Sequence, residues 1–139
     1  MTVNYPFYDL VVRVNWEDMT WKVNLYDTFR PYRDKEPLGY IEGEIAVRQG
    51  KRVFTVRQSD LDIDLRGKGI GLTMYSLMID KFLGMGVAAE VRSSTIRNDY
   101  SSGVWRSLAK RYANIMRRGD YYAAISSTQT LLGTYKSYR

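Results

Sequence analysis

The chain has 139 residues, no Cys, no His and a formal net charge of +6. Disulfides, thiolate metal sites and Cys or His nucleophiles are thereby excluded, and a general base has to be a carboxylate, Tyr, Lys, the chain terminus or a relayed water. There is no 18-residue apolar run and no basic-then-apolar leader, so the expectation is a single domain over 1–139, cytoplasmic and without a membrane span.

Phe7 to Val14 is β-branched and aromatic, Asn15 to Asp18 supplies a turn, and Thr20 to Tyr26 alternates Trp21, Val23 and Leu25 against Lys22 and Asn24. This pattern predicts two tightly joined strands. Asp27 to Pro37 carries two Pro and six charged residues, an exposed loop that is also a candidate lid. Leu38 to Arg48 and Lys51 to Leu61 read as two more strands around a Gln49-Gly50 turn, so an antiparallel meander leads up to residue 61. Twelve Tyr and three Trp fit such strands, and most of these rings are expected to pack in the core or on the sheet.

After Leu61 the sequence Arg66-Gly67-Lys68-Gly69-Ile70-Gly71 places three glycines at alternate positions directly before a helical pattern. Ile70, Met74, Leu77, Met78 and Phe82 fall on one face, Thr73, Ser76, Asp80 and Lys81 on the other, and Gly84 and Gly86 end the pattern. A helix that starts at bare backbone directs its unpaired N–H groups and positive dipole end at whatever sits there, and an anion is the natural occupant. A Walker A loop is excluded because Leu72, not Lys-Ser/Thr, follows Gly71. A dinucleotide loop is excluded because the glycine spacing is wrong.

Beyond the helix, Val87 to Ser94 reads as a short buried strand parallel to the one ending near Leu61. A second helix follows from Asp99 to about Tyr112, capped by Asn98 or Asp99, with Val104, Trp105, Leu108, Ala109 and Tyr112 on one face. Asn114 to Arg118 and Tyr121 to Ser126 flank Gly119-Asp120 and suggest a hairpin, unless the second helix runs on to Arg118. Ser127 to Arg139 has no clear pattern.

The run Arg66-x-x-Gly69-x-Gly71 between a strand and a helix resembles the pyrophosphate-binding signature of the GNAT N-acetyltransferase superfamily. A second segment, Asn98, Ser101, Trp105 and Ala109, is similar to the family's Asn-x-x-Ala-x-x-x-Tyr, with Trp105 in place of the Tyr that often protonates the departing thiolate. The resemblance spans Lys51 to Tyr112. It implies an α/β fold with a mixed, mostly antiparallel central sheet, a helix led by the glycine loop and a second helix. The short link between the first two strands is similar to that of minimal GNAT-like proteins of phages.

The same resemblance implies acetyl-CoA held by Arg66, Gly67, Lys68, Gly69, Ile70 and Gly71 at its pyrophosphate, by Thr73 in the first helical turn, and by Asn98 at its pantetheine arm. It implies acetyl transfer by direct attack of an acceptor amine on the thioester, with no metal. Glu42, Glu44, Asp60 and Glu90 are the acids on or near the central strands, of which Glu44 and Asp60 are the candidates for the base. Tyr112 is the candidate acid, with Tyr100 behind it. The acceptor is an unidentified protein, peptide or small molecule.

The alternative is a non-enzymatic module that binds protein or nucleic acid. Its surface would be Arg106, Lys110, Arg111, Arg117, Arg118, Lys136 and Arg139 interleaved with Trp105, Tyr112, Tyr121, Tyr122, Tyr135 and Tyr138. Cations would hold phosphates while rings stack bases.

Overall fold

The structure, a computed structural model, describes residues 2–5, 8–27, 36–61 and 69–125. Among these, the elements in chain order are β1 (Thr2–Tyr5), β2 (Tyr8–Asn15), β3 (Thr20–Asp27), β4 (Gly39–Arg48), β5 (Lys51–Leu61), α1 (Ile70–Gly84), β6 (Glu90–Arg92), α2 (Asp99–Arg111), β7 (Ile115–Arg118) and β8 (Tyr121–Ile125). The strands form one sheet in the order β1-β2-β3-β4-β5-β6-β8-β7. Each neighbouring pair is antiparallel except β5 with β6. This is the mixed, mostly antiparallel α/β architecture expected from the sequence.

Local chemistry explains the meander. Asn15 closes the β2–β3 turn, its Oδ1 accepting the Glu17 and Asp18 N–H groups at 3.1 Å each, as short amide side chains do in turns. Gln49 and Gly50 both have positive φ, 54° and 75°, the pair of left-handed residues that a two-residue hairpin needs to match strand twist. Strand alternation then puts Trp21, Val23, Leu25, Ile41, Ile45, Phe54 and Val56 in the buried core.

Helix α1 covers that face. Trp21 stacks on Phe54 with ring centres 6.2 Å apart, and Phe82 of α1 meets both, at 5.3 Å and 4.6 Å. Val91 lies opposite Phe54 in register, and Ala124 lies opposite Val91, so Tyr122, two residues from Ala124, shares the face. Trp105 of α2 stacks on Tyr122 and meets Tyr75 of α1 edge-on. Both helices therefore lie on one face of the sheet, and among the described residues no helix covers the other.

Two local expectations change, and β1 is an additional strand. The buried stripe of α1 is Gly71, Met74, Tyr75, Met78, Ile79, Phe82 and Leu83, whereas Ile70 and Leu77 are half-buried. The stripe is rotated because it packs on both the sheet and α2. The strand expected over Val87 to Ser94 is only β6, because Ser93 leaves β5. Helix α2 stops at Arg111, where Tyr112 becomes extended (φ −122°, ψ 129°) and the chain turns into β7. Residues 28–35 of the expected lid, Arg66, Gly67 and Lys68 of the glycine loop, and the stretch 126–139 lie outside the described residues.

Candidate functional site

Strands β5 and β6 start side by side and then part. Their parallel register ends at Thr55↔Arg92. The next residue, Ser93, turns to β8, donating its N–H to the Tyr122 carbonyl at 2.8 Å and accepting the Tyr122 N–H on its Oγ at 2.8 Å. Strand β5 stays with β4 as far as Leu61. A wedge-shaped opening follows, with the edge of β5 from Val56 onward as one wall and residues 93–98 as the other.

A bulge sharpens the divergence. Pairing steps from Glu42↔Gln58 to Gly43↔Val56, so Arg57 is an extra residue in β5. Such an insertion bends a strand and increases its twist. Gly43 sits against the irregularity, and a Cβ there would lie 1.8 Å from the Thr55 carbonyl oxygen. Glycine is required by close approach of the two strands.

The far wall is tied down by Arg97. Its Nη1 donates to the carbonyls of Asp120 at 2.6 Å and Ser94 at 2.7 Å, its Nε donates to Ser102 Oγ at 3.2 Å, and its guanidinium lies 5.3 Å from the Tyr122 ring centre. One side chain thus fastens the wall to α2 and to the β7–β8 turn. Between the walls is a cavity of about 110 Å³ lined by Val56, Arg57, Gln58 and Ser59 of β5, Tyr75 of α1, Ser94, Ile96, Arg97, Asn98, and Ser101 and Trp105 of α2.

The N-terminus of α2 borders this opening, and the two helix N-termini differ in chemistry. Asn98 caps α2, its Oδ1 accepting the Ser101 N–H at 2.8 Å, and Asp99 adds an acid in the first turn, which together satisfy that helix end. The N-cap of α1 is Gly69, in a left-handed conformation (φ 79°), and its first turn contains no acid. No cap side chain competes for the first N–H groups of α1. A second depression, about 460 Å³, runs from Leu61, Gly69, Gly71 and Leu72 to Asp99, Tyr100, Gly103, Val104 and Ser107. Tyr100 of α2 reaches Gly71 of α1: a Cβ there would lie 1.7 Å from the Tyr100 hydroxyl oxygen.

The residues expected from the sequence fall into two groups. Asn98 lines the opening, Gly69 and Gly71 line the second depression, and Ile70 and Thr73 belong to the first turn of α1, the Thr73 N–H bonding the Gly69 carbonyl at 3.1 Å. The acids are elsewhere. Glu44 is exposed on the face away from the helices, 2.9 Å from Arg57 Nη2. Glu42 lies 3.9 Å from Lys22, and Asp60 stands opposite Tyr40 in register. Burial, and then the carboxylates of Glu42 and Asp60, push the Tyr40 phenol up, against the lowering effect of its hydrogen bond from Gln58. Glu90 is paired with Arg92 and Arg118 near the start of the parallel pair, away from the wedge.

Tyr112 lies away from this opening. It is buried at the C-terminal end of α2, its N–H bonding the Leu108 carbonyl, one helix length from Asn98 and outside both cavities. The aromatic surface of the alternative reading is corrected, because Trp105, Tyr112 and Tyr122 are core residues. Sequence reasoning missed Ser59, Tyr75 and Arg97. For Tyr75 the signal existed: it is one residue from Met74 and four from Ile79 on a helix that buries a wide stripe.

No protein-family model matches the chain and no curated protein sequence matches it. Solved structures do match. The ribosomal-protein-S5-alanine acetyltransferase from Vibrio fischeri aligns with a TM-score of 0.64 at 12% identity, covering 92% of this chain and 98% of that one. AtaTR bound with AcCoA aligns at 0.59 and 13%, covering 79% and 69%. The spermidine N-acetyltransferase from Vibrio cholerae, in complex with CoA and spermine, aligns at 0.57 and 10%, covering 80% and 68%. At such identities the likeness is one of fold, and the fold is one that N-acetyltransferases use.

Proposed function

We propose that this chain, which has the GNAT N-acetyltransferase fold, is an acetyl-CoA-dependent N-acetyltransferase that passes the acetyl group directly to an amine. One observation carries the reading. Asn98 and Ser101 at the start of α2 line the wedge between β5 and residues 93–98, and their neighbours Asp99 and Tyr100 line a depression with Gly69 and Gly71 at the glycine-capped N-terminus of α1. A pantetheine arm carries two amides and suits an unpaired strand edge, which recognises extended ligands through main-chain hydrogen bonds. A diphosphate suits the first N–H groups of α1, with Gly69, Ile70 and Gly71 near it and Arg66, Gly67 and Lys68 leading in. The donor set is therefore of the right chemistry at both ends.

In this reading Asn98 and Thr73 take secondary roles toward the acyl donor, Asn98 limited by its duty as a cap. The amine attacks the thioester carbonyl carbon, the C–S bond breaks, and the electron pair leaves on sulfur. A carboxylate, Glu44 or Asp60, removes the amine proton through water, which requires the acceptor to approach from the face without helices. A backbone N–H at the bulge in β5 is suited to the oxyanion. The solved structures of the same fold carry names that range from a ribosomal-protein alanine to spermidine, and the acceptor class inferred here is accordingly an amine.

Calorimetry with acetyl-CoA tests the reading. Micromolar or tighter binding is expected, together with a loss of at least tenfold in Gly71→Glu, whose carboxylate repels phosphate and whose bulk displaces Tyr100. A folded wild-type protein that gives no heat overturns it.

A further inference from the structure

At the inner end of the wedge lies a pair of hydroxyls. Tyr75 is fully buried, on the same stripe as Met74, Met78 and Phe82, and its Oη donates to Ser59 Oγ at 2.6 Å. Ser59 follows the bulge in β5 by two residues, and both side chains line the cavity that Asn98, Ser101 and Trp105 enclose. We infer that this Tyr75–Ser59 pair, in place of a phenol from α2, donates the hydrogen bond that receives the departing thiolate. The inference rests on the acetyltransferase reading above.

The geometry supplies the direction. A serine hydroxyl has one hydrogen and two acceptor lone pairs. While Ser59 accepts from Tyr75, its own hydrogen is directed elsewhere, and the cavity is beside it. The phenol behind it polarises the serine, as chained hydroxyls do in low dielectric. On α2 the facing side chain is Trp105, buried between Tyr75 and Tyr122, and the Tyr112 phenol is at the other end of the helix.

Protons and electrons balance without a net transfer from the pair. The nitrogen lone pair forms the amide bond, the C–S electron pair goes to sulfur, and the amine proton goes to water. The thiolate leaves hydrogen-bonded to Ser59 and takes its proton from water afterwards. Burial pushes the Tyr75 phenol up to about 12, with Tyr100 adding to the rise. The phenol therefore stays protonated and remains a donor throughout.

A pair that only fastens α1 to β5 would have the same distances, so the test must read the sulfur. Affinities for coenzyme A and acetyl-CoA are measured by calorimetry from about pH 7 to about pH 10, across the ordinary thiol range, for wild type, Ser59→Ala and Tyr75→Phe. The other charged groups at the cavity are the Arg57 and Arg97 guanidiniums, and Tyr100 acts on the Tyr75 phenol; all three are present in every variant. Wild type is expected to bind coenzyme A roughly tenfold more tightly at the alkaline end while acetyl-CoA binding stays flat, the gain of one charge-assisted hydrogen bond. Ser59→Ala should lose that gain and keep its acetyl-CoA affinity within about twofold. Tyr75→Phe should reduce it. A coenzyme A affinity with the same pH profile in wild type and Ser59→Ala overturns the inference and leaves the acetyltransferase reading standing. Failure of wild type to bind acetyl-CoA at all overturns both, and if Tyr75→Phe does not fold, Ser59→Ala carries the test.

Discussion

Tyr75 illustrates how a single polar atom in a core acquires consequences. Its ring occupies the aromatic layer with Trp105, and its hydroxyl, far from solvent, has Ser59 within 2.6 Å. Because burial holds the phenol at about 12 against an ordinary value of 10.0, the folded state binds that proton more tightly than the unfolded state does. The stabilisation is complete below pH 10 and is lost as pH rises toward 12, amounting to roughly 3 kcal/mol over that span. Thermal unfolding of wild type against Tyr75→Phe should show the wild-type Tm falling more steeply between these limits. Parallel curves would mean that the phenol ionises as freely in the native state as in the unfolded chain. Gly71 is the converse case, a residue chosen for what it lacks, since any Cβ would occupy the Tyr100 hydroxyl position.

Among the elements, β5 organises the site because it belongs to two partnerships of unequal length. With β4 it pairs over its whole course; with β6 it pairs only at Val53, Phe54 and Thr55. The bulge at Arg57 lies just beyond the last parallel pair, so strand bending and cleft opening coincide. Gly43→Ala should therefore disturb more than packing. A methyl group 1.8 Å from the Thr55 carbonyl forces β4 and β5 apart, at a cost of about 3 kcal/mol by the scale of overpacked cores. Chemical denaturation should show that loss, with acetyl-CoA affinity weakened in the variant that still folds. An unchanged midpoint would mean that the strands separate freely there. The hydrophobic period announced α1 and its glycine start, and the turn chemistry of Asn15 and Gln49-Gly50 announced the hairpins. The buried stripe was misjudged by one step at Tyr75 because period alone does not say that α2 lies against the same helix.

For the molecule as a whole, the net charge of +6 would act on the proposed acyl donor, which carries several negative charges. Raising salt from about 50 mM to about 500 mM should weaken acetyl-CoA binding several-fold, since the Debye length shrinks to a few ångströms. A salt-independent affinity would mean that local backbone donors, not the surface field, attract the donor. Both helices share one sheet face, and no helix of the described residues is long and apolar enough to cross a membrane. The sequence by itself determined the order of elements from β2 to α2, the meander, and the bare helix start at Gly69 to Gly71, because alternation, turn residues and glycine conformations are properties of neighbouring positions. Only the tertiary structure decided where the wedge opens, that Tyr112 is remote from it, that Trp105 and Tyr122 are core rather than surface, and that Ser59 meets Tyr75. Those facts depend on which strand Ser93 chooses and on contacts between residues as far apart as Tyr75 and Trp105. No local pattern encodes a competition of that kind, which is resolved only when the whole sheet is assembled.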